Sequence, residues 1–305
     1  MNETTMRRFA KPMLFAAAFI WGSSFFIMKD ALDALPVQYL LAIRFTTGAV
    51  LLGLLCWKKW KTFTLDYLWR GAIIGGFLWL AYSVQTYGLA LTTPSKNAFL
   101  TAVYCVIVPF LYWAFARVKP DRYNVLAAVL CVAGVGLVSL TGDLTVNPGD
   151  GLTLICAVFY AAHIVAVAKV SPNKDIYLLT VFQFAFAGLY AWIGGGLTEI
   201  FPAQALTRPE VLLPLAYLAV MATTAALLFQ NVGQVWSDPS AAAVILSLES
   251  VFGVLCSVLF AGDRVNPRML LGFALIFVAV VCSETKFSFL RKFIKSLQTG
   301  KKFLL

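Results

Sequence analysis

Ten stretches of about 20 mostly apolar residues follow one another along the 305-residue chain. A helix of about 20 residues is long enough to cross the hydrocarbon core of a bilayer. Only 12% of the residues are charged, against roughly 25% in soluble proteins. This excludes a water-soluble enzyme, a coiled coil and a disordered chain. The sequence therefore predicts an all-α integral membrane protein with ten transmembrane helices, over 13–32, 37–57, 69–90, 96–116, 122–141, 151–169, 176–196, 211–235, 240–261 and 268–285.

The basic residues are distributed unevenly between the connections. The connections and termini on one side of the predicted membrane carry 18 Lys and Arg residues, and those on the other side carry 5. Cytoplasmic loops are enriched in Lys and Arg, so both termini are expected in the cytoplasm, and a bacterial cytoplasmic membrane is the expected location. The net charge of +10 then reflects topology, and we expect no nucleic-acid partner.

The two halves of the chain share a motif. The pattern Gln-x-x-Gly followed by Pro-Ser occurs at 85–95 and again at 230–240, an offset of 145 residues. We therefore expect two five-helix repeats, 1–145 and 146–285, with 286–305 as a basic cytoplasmic tail. Because five is an odd number, the second repeat enters the membrane from the opposite face. Inverted repeats of this kind are common in secondary transporters.

Three ionisable residues fall well inside predicted spans, namely Arg44, His163 and Glu249. Such residues usually face the bundle interior or water, because charge is costly in hydrocarbon. Arg44 is either a structural residue or a group that binds a substrate carboxylate or holds Glu249. His163 is either a neutral imidazole bonded to the backbone or a substrate-contacting or proton-linked group. Glu249 is either a structural carboxyl or a proton carrier.

Neutral polar and aromatic residues accompany these three. Amides inside a membrane must find hydrogen-bonding partners, and each can simply bridge two helices or contact a solute. On the third helix, a stripe of residues at three-residue spacing predicts the wall of a central cavity between the halves. The candidate substrate-contacting residues are Trp21, Arg44, Trp79, Tyr82, Gln85, His163, Gln183, Gln230, Asn231 and Glu249, of which Glu249 and His163 are also candidates for proton coupling.

Several motifs resemble the EamA-like branch of the drug/metabolite transporter superfamily. They are Trp21-Gly22-Ser23-Ser24, Arg44-Phe45, the 85–95 pattern, Ser247–Phe252 and Gly262-Asp263-Arg264-Val265. The resemblance covers nearly the whole chain. It implies ten spans in two repeats, and export or exchange of small metabolites, including amino acids, through a central cavity. Ser250 stands where the family often has Pro, and Asp263 stands where it often has Glu, which predicts a straighter ninth helix.

The leading functional prediction is a secondary carrier for amino acids or similar compounds, with alternating access. The chain has no P-loop and so no ATPase of its own. A single histidine and the lack of paired midplane carboxylates argue against an intramembrane enzyme, and the lack of charged rings argues against a channel. Efflux of cationic drugs is the alternative. We expect a small-molecule substrate, lipid and protons as partners, no cofactor and no metal, and the sequence leaves the oligomeric state open.

Overall fold

The computed structural model describes residues 3–117, 119–140, 147–236 and 239–286, and the regular elements in these ranges are helices. The α-helices are α1 (Glu3–Ala31), α2 (Val37–Leu55), α3 (Asp66–Leu91), α4 (Pro94–Thr101), α5 (Tyr104–Ala116), α6 (Arg122–Ser139), α7 (Pro148–Val170), α8 (Ile176–Thr198), α9 (Pro209–Ala216), α10 (Ala226–Val235), α11 (Pro239–Phe260) and α12 (Pro267–Thr285). Two 3₁₀ turns, Trp57–Thr62 and Ala205–Thr207, and a π-helical segment, Tyr217–Ala225, complete the described structure.

Eight helical stretches in the described ranges are long and apolar enough to cross a membrane: Arg8–Ala31, Val37–Leu55, Pro94–Phe115, Arg122–Ser139, Pro148–Val170, Ile176–Thr198, Pro209–Gln230 and Pro267–Thr285. The other two predicted runs are also helical, as α3 and α11. The polar and aromatic residues of α3 keep its mean hydropathy below that of the eight, and α11 contributes a shorter apolar stretch, Ile245–Phe260. The protein is an all-helical integral membrane protein, and the count of ten crossings remains a prediction.

Short polar residues mark where several helices begin. Thr93, Asn147 and Asn266 each accept a hydrogen bond from a backbone N–H in the first turn of α4, α7 and α12, and a proline follows each of them. Such side chains satisfy N–H groups that have no partner within the helix, and proline fits the first helical position because it lacks an N–H. These signals set the starts of the helices, and therefore which residues reach the middle of the membrane.

Two of the predicted spans depart locally from regular α-helical geometry. The run 96–116 is divided between α4 and α5. The run 211–235 contains α9, the π-helical segment and α10. π-Helical turns are rare and frequent at functional sites. Thr101 and Tyr104, which flank the break between α4 and α5, line the central cavity described below, and so do Ala222 and Thr223 of the π-helical segment.

The closest helix pairs join the first half of the chain to the second. α2 packs on α8, α6 on α12, α3 on α7 and α8, and α1 on α10 and α11. Glycines permit this approach: a Cβ on Gly71 would lie 2.5 Å from the Cβ of Phe182, and one on Gly75 would lie 2.6 Å from the carbonyl oxygen of Gln183. Those distances leave no room for a side chain, so α3 and α8 pack backbone against backbone, as expected for small residues four apart.

The end of the bundle beside the start of α4 is held by charged groups. The Nζ of Lys96 lies 2.9 Å from the Oδ2 of Asp150, whose side chain is fully buried. Glu199 accepts hydrogen bonds from two backbone N–H groups at the start of α2 and from the Tyr87 hydroxyl, the last at 3.0 Å. Both sets of bonds cross from one half of the chain to the other, so they tie the halves together at this end.

The turn after α11 explains one of the motifs. The Oδ2 of Asp263 accepts from the backbone N–H of Ser95 at 3.0 Å and from the Ser257 hydroxyl at 2.5 Å. Gly262 has φ +70°, a left-handed conformation that glycine adopts without strain. The Asp263 carboxylate therefore lies at the positive N-terminal end of α4, and the shorter side chain suffices where the family often has Glu.

Candidate functional site

A cavity of about 230 Å³ lies between helices of both halves. Eight of the ten predicted site residues line it: Trp21, Arg44, Tyr82, Gln85, His163, Gln183, Gln230 and Glu249. The side chain of Asn231 lies outside the described residues, so its place in the site stays a prediction.

Trp79 does not line the cavity, contrary to the prediction from its spacing. Its indole Nε1 donates to the Oε1 of Gln38 at 2.8 Å, and its ring lies 5.9 Å from that of Tyr190. With about 100° of rotation per residue, six residues leave Trp79 turned about 120° from Gln85 around the helix axis. Tyr82 lies between the two, so it faces the cavity with Gln85 while Trp79 meets α2 and α8.

Arg44 reaches the cavity from α2 and is only 1% exposed. Its Nε donates to the Thr223 hydroxyl at 2.6 Å, and its Nη1 lies 4.0 Å from the Sδ of Met28. Its guanidinium carbon lies 4.8 Å from the centre of the Tyr82 ring, within the range of a cation–π contact. Arg44 makes no ion pair with any described residue, so its partners there are neutral groups.

Glu249 reaches the same cavity from α11. In the part of the chain that the structure describes, no group donates a hydrogen bond to its carboxyl and no basic side chain forms an ion pair with it. Gly22 positions this turn of α11: a Cβ on Gly22 would lie 2.8 Å from the carbonyl oxygen of Glu249 and 2.5 Å from the Cβ of Phe252. The glycine of the Trp-Gly-Ser-Ser motif thus lets α1 pack directly on the backbone that carries Glu249.

The Gln85 side chain is held at both ends. Its Oε1 accepts from the Tyr160 hydroxyl at 2.9 Å, and its Nε2 donates to the Thr101 hydroxyl at 2.9 Å. Asn97 adds two bonds, one to the carbonyl oxygen of Gln85 at 3.3 Å and one to the Thr153 hydroxyl at 2.8 Å. This network joins α3, α4 and α7 and fixes the polar wall of the cavity between them.

Two polar atoms near the cavity have no partner within the described ranges. They are the Nε2 of His163 and the Oδ1 of Asn97, both buried. The His163 ring lies beside the Gln183 side chain. Leaving a buried polar atom unpaired costs about 1–3 kcal/mol, so a polar solute or a water molecule that pairs with these atoms gains free energy.

The π-helical segment positions Arg44 and fastens α1. The indole Nε1 of Trp21 donates to the carbonyl oxygen of Ala222 at 2.8 Å, and the hydroxyls of Ser23 and Tyr217 lie 2.6 Å apart. Thr223, the Arg44 acceptor, belongs to the same segment. A change in this segment would therefore move Trp21 and Arg44 together.

Sequence reasoning missed Thr101 and Tyr160, which line the cavity as well. The Tyr160 ring lies 5.4 Å from Tyr82 and 5.9 Å from Tyr104, so it is the centre of an aromatic group. Near the start of the two repeats the best alignment has an offset of about 139 residues, which places Tyr160 opposite Trp21. This aromatic correspondence was the signal that could have identified it. Thr101 gave no such signal, because threonines inside helices commonly bond to their own backbone.

Comparison with known proteins identifies the family. The model of the EamA-like transporter family matches residues 9–140 and again residues 147–285. The chain belongs to the EamA-like transporter family. An uncharacterized transporter of Archaeoglobus fulgidus is 34% identical over 280 residues, which cover 92% of this chain and 87% of that protein. The uncharacterized inner membrane transporter YedA of Escherichia coli K12 is 25% identical over 280 residues, 88% of each chain.

The fold of this EamA-like protein is also found in a solved structure. A crystal structure of another protein matches with a TM-score of 0.65 and 18% sequence identity. The match covers 93% of this chain and 98% of the other chain. At this identity the match shows the fold alone. Taken with the membrane-length helices, the family and its relatives make this protein a membrane transporter of the drug/metabolite transporter superfamily.

Proposed function

We propose that this protein is a secondary transporter of small metabolites, with amino acids and amino-acid-like compounds as its substrates. The observation that carries the proposal is a pair of residues of opposite charge type, Arg44 and Glu249, that line the same cavity. Arg44 has only neutral partners among the described residues, and Glu249 has no partner there. A zwitterion supplies the charge that each lacks, because its carboxylate matches the guanidinium and its ammonium group matches the carboxylate.

The size of the cavity favours a small solute. Sites for drug-sized ligands measure about 300–1,000 Å³, and the central cavity measures about 230 Å³. Efflux of cationic compounds is the second candidate, and it is favoured by Glu249, which has no positive partner among the described residues. Arg44 argues against that candidate, because a buried guanidinium repels a cation held in the same cavity.

The transport mechanism that we propose is alternating access, with export or exchange of the substrate. Two repeats of opposite orientation, ten crossings and cytoplasmic termini in a bacterial membrane belong to the same proposal. Three observations support it: the basic residues split 18 to 5, the family model matches two consecutive segments, and the helix pairs correspond. Exchanging the two repeats puts α1 in the place of α7 and α10 in the place of α3. The α3–α7 pair then corresponds to the α10–α1 pair, and both pairs are in contact.

Protons are the proposed coupling ion, with Glu249 as carrier and His163, which lines the same cavity, as the second candidate. A carboxyl at this depth is costly as an unpaired anion. It is therefore expected to hold a proton when the cavity contains no cation and to release it when an ammonium group binds. This exchange would link substrate movement to a pH gradient.

The test begins with a thermal-shift screen of the purified protein against amino acids, cationic drugs and other metabolites. The best ligand is then assayed for uptake into proteoliposomes with and without a pH gradient. Amino-acid uptake that responds to the gradient supports the proposal. Stabilisation and flux with cationic drugs alone would replace the proposal with the second candidate. Uptake that does not change with the pH gradient would contradict proton coupling.

The proposed topology is tested separately with reporter fusions after Leu305 and at positions 143–150, which include the start of α7. With both termini cytoplasmic and five crossings in each half, the two reporters lie on opposite sides of the membrane. Signals from the same side would contradict the inverted repeat, whatever the substrate is.

A further inference from the structure

A second cavity, of about 490 Å³, adjoins the central one. Both cavities are bordered by Thr101, Tyr104, Ile164, Gln230 and Glu249. Glu249 is therefore one of the residues that separate the two cavities, and it borders both.

The second cavity extends from Glu249 toward the C-terminal end of α12. Its wall includes Cys105 and Val108 of α5, two serines of α11, and Glu284 of α12. Glu284 is exposed and is the second-last residue of α12. The cavity thus runs from the middle of the bundle to the protein surface at that end.

Carboxylates stand at both ends of this cavity. Neither Glu249 nor Glu284 forms an ion pair with any described basic residue. Lys286, two residues beyond Glu284, pairs with Asp121 at 2.6 Å. Cys105 lines the same cavity as both carboxylates, so this natural cysteine can report on the charge of that cavity.

We propose that the second cavity is a water-filled acidic vestibule through which cations reach Glu249 from the cytoplasm, with Glu284 selecting for positive charge at its mouth. The cations are protons or protonated amines, which share the same charge chemistry. A cleft lined by charges of one sign, with low-dielectric walls, concentrates ions of the opposite sign. The cytoplasmic direction rests on the proposed topology, whereas the acidity of the vestibule depends on no particular substrate.

Cys105 allows a test without a substrate. A variant keeps Cys105 and replaces the other five cysteines, four buried ones and Cys56, by alanine. In inside-out vesicles, its thiol is reacted with two methanethiosulfonate reagents of similar size, one a quaternary ammonium and the other a sulfonate. The expected result is that the cationic reagent reacts at least about tenfold faster than the anionic one, and that reagents added to right-side-out cells react far more slowly.

Glu284→Gln in the same background identifies the source of the preference. It removes one charge while keeping size and hydrogen bonding, so the cationic preference should fall severalfold. The matched control keeps Cys56 alone, at the end of α2 beside the basic residues Lys58 and Lys59. There the cationic preference should be absent, and Glu284→Gln should leave the rates unchanged.

Each further outcome has a defined meaning. Val108→Cys in a background without the other cysteines reports on the same wall if the Cys105 variant does not fold. Unreactive thiols at both positions, equal rates for both reagents, or a preference that survives Glu284→Gln overturn the proposal. Fast reaction from the outside reverses the topology but leaves the acidic vestibule standing. Failure of amino-acid transport alone affects only the proposed function. Two uptake assays then distinguish protons from protonated amines as the cations that use the vestibule. Glu284→Gln slows uptake driven by a pH gradient if protons use it, and slows amine uptake if amines use it.

Discussion

Arg44 and Glu249 face the same cavity but are held in different ways. Arg44 is 1% exposed, donates to Thr223 and lies 4.8 Å from the Tyr82 ring. The carboxyl of Glu249 has no donor among the described residues, and it borders a second cavity as well. One charge is therefore oriented before any solute arrives, whereas the other is free to change its partner.

This difference assigns different tasks to the two parts of the cavity lining that carry Arg44 and Glu249, which we call the Arg44 wall and the Glu249 wall. A guanidinium stays protonated in proteins, so the Arg44 wall presents a fixed charge throughout a transport cycle. A carboxyl can lose its charge by taking up a proton, so the Glu249 wall can change state. An unpaired charge inside a membrane is costly, so a solute that brings a carboxylate to Arg44 and an ammonium group to Glu249 lowers that cost on binding. The contrast predicts that variants of the two walls fail differently.

Replacing Arg44 should produce the largest defect. Arg44→Met keeps an unbranched side chain but removes the charge, and hydrogen bonds to charged groups contribute about 1.5–3 kcal/mol. Exchange and accumulation of a carboxylate-bearing solute should both fall about 10- to 100-fold, because 1.4 kcal/mol is a factor of ten. Proteoliposome counterflow measures this, and the melting temperature should hold or rise, since apolar replacement of a buried charge is often neutral or stabilising.

Thr223→Val is the matched control for that experiment. It keeps the charge and removes one acceptor, so transport should fall by less than in Arg44→Met. Normal transport by folded Arg44→Met protein would mean that Arg44 is only structural, and the contrast between the walls would disappear.

Replacing Glu249 should produce a narrower defect. Glu249→Gln retains size and hydrogen bonding but cannot titrate. If the carboxyl is the proton carrier, accumulation driven by a pH gradient is lost while substrate exchange continues. Parallel flux assays with and without the gradient measure the two activities. Loss of exchange as well would make Glu249 a substrate contact, and full pH-driven uptake would leave it with a structural role, for which Glu249→Ala should lower the melting temperature.

The sequence located both charges because an ionisable residue inside an apolar run is conspicuous. It could not show that they are unpaired, since Arg44 meets Thr223 only through the packing of α2 on the π-helical segment. The helices were also predictable from apolar length and from capping residues such as Asn147. The break between α4 and α5 and the π-helical segment within 211–235 were not, because local sequence there remains apolar and helix-forming.

Trp79 shows the limit of spacing arguments. Steps of three residues place neighbours on one face, but the face drifts by about 60° at each step. Tyr82 and Gln85 therefore stay in the cavity while Trp79 leaves it for Gln38. Tyr160 was missed because its role depends on a hydroxyl that reaches Gln85 from another helix.

Tyr160→Phe tests whether the hydrogen-bond network around Gln85 supports the cavity that both charged residues line. The change leaves the Oε1 of Gln85 without its described donor, which costs about 1–3 kcal/mol of stability. The melting temperature should fall, and transport should fall less than in Arg44→Met. Tyr39→Phe in α2 is the control, since the Tyr39 hydroxyl makes no hydrogen bond within the described ranges. Equal melting temperatures for the two variants would show that the Gln85 network contributes little.

The smallest effect on transport is expected from replacing Tyr82, whose ring contacts the Arg44 guanidinium. A cation–π contact contributes about 0.5–2 kcal/mol and needs the aromatic face, which phenylalanine also provides. Tyr82→Phe should therefore keep exchange within about twofold, whereas Tyr82→Leu should weaken it by about 2- to 30-fold, the same range expressed as affinity. Neither change should alter the response to a pH gradient, because the ring supports the fixed charge and not Glu249. Counterflow at several substrate concentrations separates affinity from rate. A loss of pH-driven accumulation in Tyr82→Leu with normal exchange would contradict the division of tasks, because it would make the ring part of the Glu249 wall.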